Sequence, residues 1–377
     1  MLIQRPLYEE IYSKLREEIL SGKLAPDTLL PSEITLSQQY EVSRITTTHA
    51  LKMLADEGLV VRLRGKGTFV TSTVPSAEDK PDVMPSLSKH PTLIGYVFPN
   101  IRDTYGIVLF STLEHEVSRR GGLLITKRTY GNPVLEQEAI QQLTILGVKG
   151  LIIYPVNGEY YNPEILRLSL EGFPITLVDR FLPRIPIPYF TTDNRHAAYL
   201  LTQHLIASGH EKIAFLSHTV AGTVTLEERY AGYQTALREA GLDVNPELCP
   251  EIFSDDRLAS QDHKYMESCI HLTVEFLKQH RDVTGILAAE YNFSMYAYAA
   301  SAMLLRKVPD DLSIVTFDGP STGAMPWHFT HIRQNEKKIG ALAIQSLWKQ
   351  IYGESSSSID SQMVPGELVL GDSSRRS

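Results

Sequence analysis

Apolar side chains recur at Leu7, Ile11, Leu15 and Ile19, a four-residue spacing that draws one stripe along a helix. Pro6 suits the first helical position, and Gly22 the residue just beyond the last turn. Ser32 is placed to cap a second, short helix through Leu36 to about Tyr40. Ser43 does the same for a third, with Thr47, Ala50, Leu51 and Leu54 inward and Gly58 closing it. Leu59–Leu63 and Thr68–Thr71 then flank Arg64-Gly65-Lys66-Gly67, the pattern of two strands and a tight turn. Three helices followed by a hairpin predict a winged helix-turn-helix.

The pattern changes after residue 91. Short apolar runs at Leu93–Val97, Leu123–Ile125, Gly150–Tyr154, Ile175–Val178, Ile213–Leu216, Gly285–Ala288 and Ser313–Phe317 read as buried strands. Helical stretches lie between them, including Ile107–Arg120, Glu136–Leu146, Arg195–Ser208, Glu227–Ala240 and His271–Gln279. Strand–helix alternation predicts an α/β fold, here two lobes with parallel sheets of about five or six strands. Ligands of such sheets sit outside the strand C-termini, in this case between the lobes. Residues 71–91 carry four prolines and few large apolar groups, so they read as a linker. The expected division is a winged helix-turn-helix domain over 1–71, a linker over 72–91 and a two-lobed α/β body over 92–377.

Charge refines this picture. The 377 residues carry a net charge of −8, which at first argues against a polyanionic partner. Residues 1–73 are balanced, however, with nine basic and nine acidic side chains, so the remainder holds all the excess. Within Gly58–Val70 stand Arg62, Arg64 and Lys66 and no acid, a local positive edge suited to phosphate. No run of 18 apolar residues exists, so no membrane span is expected. The charged N-terminus is unlike a secretory leader, and Cys249 and Cys269 have no metal-ligand spacing. A cytoplasmic chain is expected, in which Asn292-Phe293-Ser294 matches a glycosylation acceptor by chance. The chain contains no His-Glu-x-x-His, no Gly-x-Ser-x-Gly and no phosphate loop. Gly65-x-Gly67 precedes a strand rather than a helix, which excludes a dinucleotide loop. His115 between Glu114 and Glu116 does not make a metal site, because adjacent helix positions diverge. No enzyme activity, cofactor or metal is expected.

Two sets of motifs carry a resemblance. Leu30-Pro31-Ser32-Glu33, Val42 through Leu51, Leu54-Ala55-Asp56-Glu57-Gly58-Leu59 and Gly65-Lys66-Gly67-Thr68-Phe69-Val70 resemble the winged helix of the GntR family. Thr192-Asp193-Asn194, His204 through Ala214, Arg229-Tyr230-Ala231-Gly232-Tyr233 and Val308 through Asp318 resemble the sensor of the LacI/GalR repressors. The first resemblance implies DNA contacts from Ser32, Glu33, Ser43, Arg44, Thr46, Thr48, His49, Arg64, Lys66 and Gly67. Arg44 at the start of the third helix suits guanine, and Lys66 between glycines suits the minor groove. The second implies effector contacts from Arg229 and Asp318. Strand-end position adds Tyr105, Arg180, Glu290 and Tyr291. Together they imply a ligand-responsive regulator binding two-fold symmetric operator half-sites as a homodimer. The effector is expected to be a sugar, arabinose or another pentose first, with a purine in reserve.

Structural readings compete with several of these roles. Ser32 and Ser43 serve equally as helix caps, Glu33 as a dipole partner and Lys66 as a turn residue. Arg44 is also readable as a solubilising charge. The cleft residues are readable as salt bridges or hinge contacts, and Tyr230, Tyr233, His204 and His210 as packing. A transport-type sugar-binding protein would account for the sensor but not for residues 6–71. Three positions depart from the family patterns: Thr48 stands where Arg is usual, Ile34-Thr35 where another Arg is usual, and Gly371 where Arg precedes the closing serines.

Overall fold

The computed structural model describes residues 7–21, 23–25, 28–40, 42–56, 59–63, 67–70, 91–101, 104–156, 161–251, 263–320, 327–353 and 361–375. Pro6, Gly22, Gly58, Arg64, Gly65, Lys66 and the linker 72–90 lie outside the described residues, as do the side chains of Glu33 and Arg62. The chain divides into two compact units, Met1–Val83 and Met84–Ser377.

The first unit has three helices, α1 (Leu7–Leu20), α2 (Glu33–Gln39) and α3 (Arg44–Asp56), and a hairpin of β1 (Val60–Leu63) and β2 (Gly67–Val70). The stripe of α1 is buried at Ile11, Leu15 and Ile19, facing Ala50, Leu51 and Leu54 of α3. Thr47, a buried polar side chain of α3, donates its hydroxyl to the Arg44 carbonyl. Leu29 pairs with Phe69 and adds a short third edge to the hairpin.

The second unit contains two sheets. The first has six parallel strands: β3 (Thr92–Phe98), β4 (Gly122–Arg128), β5 (Gly150–Ile153), β6 (Ile175–Val178), β7 (Tyr189–Thr192) and β12 (Gln362–Val364), in the order β12-β7-β6-β5-β3-β4. The second has β8 (Ile213–Leu216), β9 (Gly285–Ala288), β10 (Ser313–Phe317), β11 (Thr330–Arg333) and β13 (Glu367–Val369), in the order β13-β11-β10-β9-β8. Every residue of β5, β6, β8, β9 and β10 is buried, which is why these strands read as unbroken apolar runs.

Helices cover both faces of each sheet. In the first lobe α4 (Ile107–Arg119) and α11 (Glu336–Tyr352) pack on one face, α5 (Pro133–Leu146) and α6 (Pro163–Leu170) on the other. In the second lobe α7 (Asn194–Ala207) and α8 (Val224–Glu239) oppose α9 (His263–Gln279) and α10 (Tyr291–Met303). Each fully buried Leu or Ile in these layers contributes about 1.5–3 kcal/mol relative to exposure.

The structure corrects the sequence reading in places. Strand β13 runs antiparallel to β11, so the second sheet is not wholly parallel. Helix α9 begins at His263, eight residues before its expected start at His271. Strands β7, β11 and β12 and helices α6, α10 and α11 were not marked by the apolar pattern, because the strands are short and rich in polar residues.

The chain passes between the lobes three times: from β7 into α7, from β11 into α11, and from β12 into β13. The Asp193 N–H donates to the Val364 carbonyl at 2.9 Å, tying the first crossing to the third.

Two glycines are fixed by close approach. A Cβ on Gly371 would lie 2.3 Å from the His328 carbonyl oxygen and 2.6 Å from the Phe329 carbonyl carbon. The backbone beside β11 thus leaves no room for a side chain at 371. A Cβ on Gly232 would lie 2.0 Å from the Arg195 carbonyl oxygen, so α7 and α8 touch backbone to backbone there. The Arg-Tyr-Ala-Gly-Tyr motif is therefore a helix-packing element, completed by the Tyr233 hydroxyl donating to the Ile213 carbonyl. Gly232→Ala should destabilise the sensor by about 1–3 kcal/mol through overpacking. A thermal midpoint equal to that of the wild type would show that α7 and α8 separate without cost.

Candidate functional site

Two surfaces hold the residues singled out by sequence. On the first unit, Ser32 accepts the Thr35 N–H at 3.1 Å and Ser43 accepts the Thr46 N–H at 3.3 Å. Both serines therefore cap their helices, and each also shares a hydroxyl hydrogen bond of 2.8 Å with the threonine three residues on. Thr35, in the Ile34-Thr35 pair that stands where the family pattern has Arg, thus belongs to the cap of α2. Arg44 is the first residue of α3 and is exposed, as are Ser32, Ser43, Thr48, His49 and Gly67. The Thr48 hydroxyl donates to the Arg44 carbonyl at 2.8 Å. Its proton is committed inside the helix, which leaves the methyl group as what Thr48 presents outward. The His49 ring centroid lies 4.5 Å from that of Tyr8, so α1 and α3 meet at this imidazole.

In the second unit, Tyr105, Arg180, Arg229, Glu290, Tyr291 and Asp318 all line one cleft between the lobes. The cleft encloses roughly 90 Å³. Asn100, Tyr130, Tyr154, Asp179, Thr225 and Gln334 complete the parts of the wall that bear on its chemistry.

The two lobes present matching carboxylates. Asp179 follows β6 and Asp318 follows β10; their φ angles are 65° and 64°. Each N–H still donates to the adjacent strand, Asp179 to Phe190 and Asp318 to Ile332, both at 3.0 Å. The left-handed backbone, a conformation Asp adopts more readily than most non-glycine residues, turns each acid from its sheet toward the cleft. Burial pushes the Asp318 carboxyl up to about 7; neighbouring Arg229 and the amide of Gln334 oppose that rise, and the negative charges of Glu336 and Asp179 add to it.

The arginines are held by protein acceptors. Arg180 donates from Nη1 to the Pro155 carbonyl at 2.9 Å, lies 3.6 Å from the Asp179 carboxylate and covers the Tyr154 ring at 4.9 Å. Arg229 donates from Nε to Asn194 Oδ1 at 2.7 Å and from Nη1 to the Ala289 carbonyl, with its guanidinium 3.7 Å above Phe317. Both side chains are buried. The salt-bridge reading and the cleft reading thus coexist for Arg180. The Tyr105 hydroxyl is buried beside the Asp179 carboxylate, and burial pushes its pKa well up, so it stands as a neutral donor in the cleft wall.

Asp179, Tyr154 and Gln334 were not among the sequence candidates. Asp179 carried the same signal as Asp318, an acid directly after a buried strand. Gln334 carried none, because β11 did not stand out. Tyr230 and Tyr233 pack in the second-lobe core, and His204 and His210 hydrogen-bond Ser374 and Thr284. These four are structural.

Comparison with known proteins agrees with this division. Residues 7–70 match bacterial regulatory proteins of the gntR family, and residues 202–374 match the periplasmic binding protein-like domain. The chain is 24% identical over 378 residues to the arabinose metabolism transcriptional repressor of Geobacillus stearothermophilus, covering 98% of each protein. It is 26% identical over 322 residues to the repressor of the same name from Halalkalibacterium halodurans, covering 82% of this chain and 80% of that one. Among solved structures, the transcription regulator CcpA of Lactococcus lactis aligns with a TM-score of 0.65 at 23% identity, over 76% of this chain and 100% of the other. A CelR–cellobiose complex aligns with a TM-score of 0.65 at 18% identity, over 91% and 100% of the two chains; at these identities the structural likeness speaks for the fold alone. No helix among the described residues is long and apolar enough to cross a membrane. The chain is a transcriptional regulator that joins a DNA-binding domain of the gntR type to a periplasmic-binding-protein-like sensor.

Proposed function

We propose that this regulator represses sugar-utilisation genes and leaves its operator when an uncharged sugar, a pentose such as arabinose in the first place, fills the cleft. The observation that carries the reading is the composition of the cleft wall. Carboxylates from both lobes, tyrosine hydroxyls and guanidinium groups pinned in place offer acceptors and donors together, as hydroxyl-rich ligands require. Asp179 and Asp318 come from different lobes, so a bound sugar that engages both acids favours one lobe arrangement.

Homodimerisation through the sensor would set two readers at the spacing of two half-sites, with Arg44 at a base edge and Ser32 and Ser43 near phosphates. Ligand and DNA then oppose each other through one coupling energy, typically about 1–3 kcal/mol. The resemblance to named arabinose repressors over nearly the whole chain supports the choice of pentose. The mechanism involves no covalent step, and we assign the chain no enzymatic activity and a cytoplasmic location. A free-standing sugar-binding protein is disfavoured, because residues 7–70 would then have no task.

Gel-shift titration of the wild type on a two-fold symmetric promoter fragment tests the reading. Pentoses should release the fragment; release by purines alone would overturn the sugar assignment. Arg44→Ala should cost about 1–3 kcal/mol on the specific fragment. An equal loss on random DNA would make Arg44 a phosphate contact only.

Asp318 gives a pH signature. Unfolded, its carboxyl ionises near 3.8; folded, near 7. The folded chain therefore retains a proton that the unfolded chain has lost, so stability from this group falls as pH rises between those values and levels off above. The melting temperature of the wild type, relative to Asp318→Asn, should decline from about pH 4 to about pH 7. A difference independent of pH would show that Asp318 ionises normally.

A further inference from the structure

A chain of buried side chains leaves the cleft and enters the lobe crossings. Gln334 stands between β11 and α11, in the second crossing. Its Nε2 donates to Asp318 Oδ1 at 2.8 Å, and its Oε1 accepts the Thr192 hydroxyl at 2.5 Å. Thr192 closes β7 at the first crossing, and its carbonyl accepts the Asn194 amide at 3.0 Å. Asn194 in turn accepts from Arg229, back in the cleft, at 2.7 Å. Thr192, Asn194, Gln334 and Arg229 are all buried.

With Asp318 ionised, its carboxylate accepts from the Gln334 NH₂, and the amide oxygen is left for the Thr192 hydroxyl. One rigid planar group thereby fixes the separation between a cleft acid and the last first-lobe residue before the crossing. A ligand hydroxyl that draws Asp318 toward itself must either break a buried hydrogen bond or move Thr192 as well. Leaving the buried amide unpaired is the costlier course.

We infer that Gln334 is a positioning residue that, through the Thr192 hydroxyl, carries occupancy of the cleft into the crossings between the lobes. The inference rests on the effector reading above. It assigns transmission, as distinct from ligand affinity, to Thr192, which does not line the cleft.

The test compares wild type, Thr192→Val and Thr192→Ser, with Gln334→Met as a second break in the chain. Arabinose affinity is measured by calorimetry, and the fold by which saturating arabinose weakens operator binding by fluorescence anisotropy. Thr192→Val should keep the sugar dissociation constant within about threefold while the coupling ratio falls from the usual range of about 5–150-fold toward one. Thr192→Ser, which retains the hydroxyl, should keep the wild-type ratio. Should Thr192→Val fail to fold, Gln334→Met must lose the ratio by itself. Wild-type coupling in the Val and Met variants overturns the inference, as does a loss of sugar affinity that accounts for all the lost coupling. A wild type that binds operator but responds to no sugar overturns the effector reading itself, and is recognised before any variant is made.

Discussion

A half-buried carboxylate at the junction of two sheets is the constraint around which the second unit is arranged. Asp318 leaves β10 in a left-handed conformation, is answered by Gln334 and lies within the field of Arg229. Burial penalises its charged form more than Arg229 and Gln334 offset, which is why its titration moves up to about 7. The symmetric partner Asp179 repeats the backbone conformation in the other lobe. On the proposed reading, a ligand that hydrogen-bonds both acids engages both lobes at once.

The rest of the cleft keeps those acids in place. Arg180 and Arg229 are not swinging clamps; carbonyl oxygens, Asn194 and aromatic faces fix them. Tyr154 and Pro155, which hold Arg180, belong to a loop anchored where the buried Glu136 accepts the Val156 N–H and the Asn162 amide. Such a wall is preorganised, so little conformational entropy is lost when a sugar binds. On the reader the same economy appears in smaller form: the caps Ser32 and Ser43 orient α2 and α3, and Arg44 opens α3 at the surface.

Much of this was legible in the amino-acid order. The fully buried strands announce themselves as apolar runs, and a residue placed just after such a run falls at a strand C-terminus. That rule supplied Tyr105, Arg180, Glu290 and Tyr291, agreed with the family resemblance at Asp318, and would have added Asp179 had it been applied evenly. It failed for Gln334, because Thr330-His331-Ile332-Arg333 is short and half polar and resembles a loop. The caps were legible in Ser32 and Ser43. The inward proton of Thr48 was not, since a hydroxyl bonding the carbonyl four residues back leaves no trace in sequence. Gly371 stood as an unexplained departure until the backbone at His328 and Phe329 was seen to fill the space beside it.

Reciprocity is the most direct measure of the central claim. If occupancy of the cleft and operator binding draw on one pair of lobe arrangements, arabinose must bind the operator-bound regulator more weakly than the free one. Calorimetric titration of arabinose into each form should give a ratio of dissociation constants equal to the factor by which arabinose weakens operator binding. Equal arabinose affinity in the free and operator-bound protein would contradict the account.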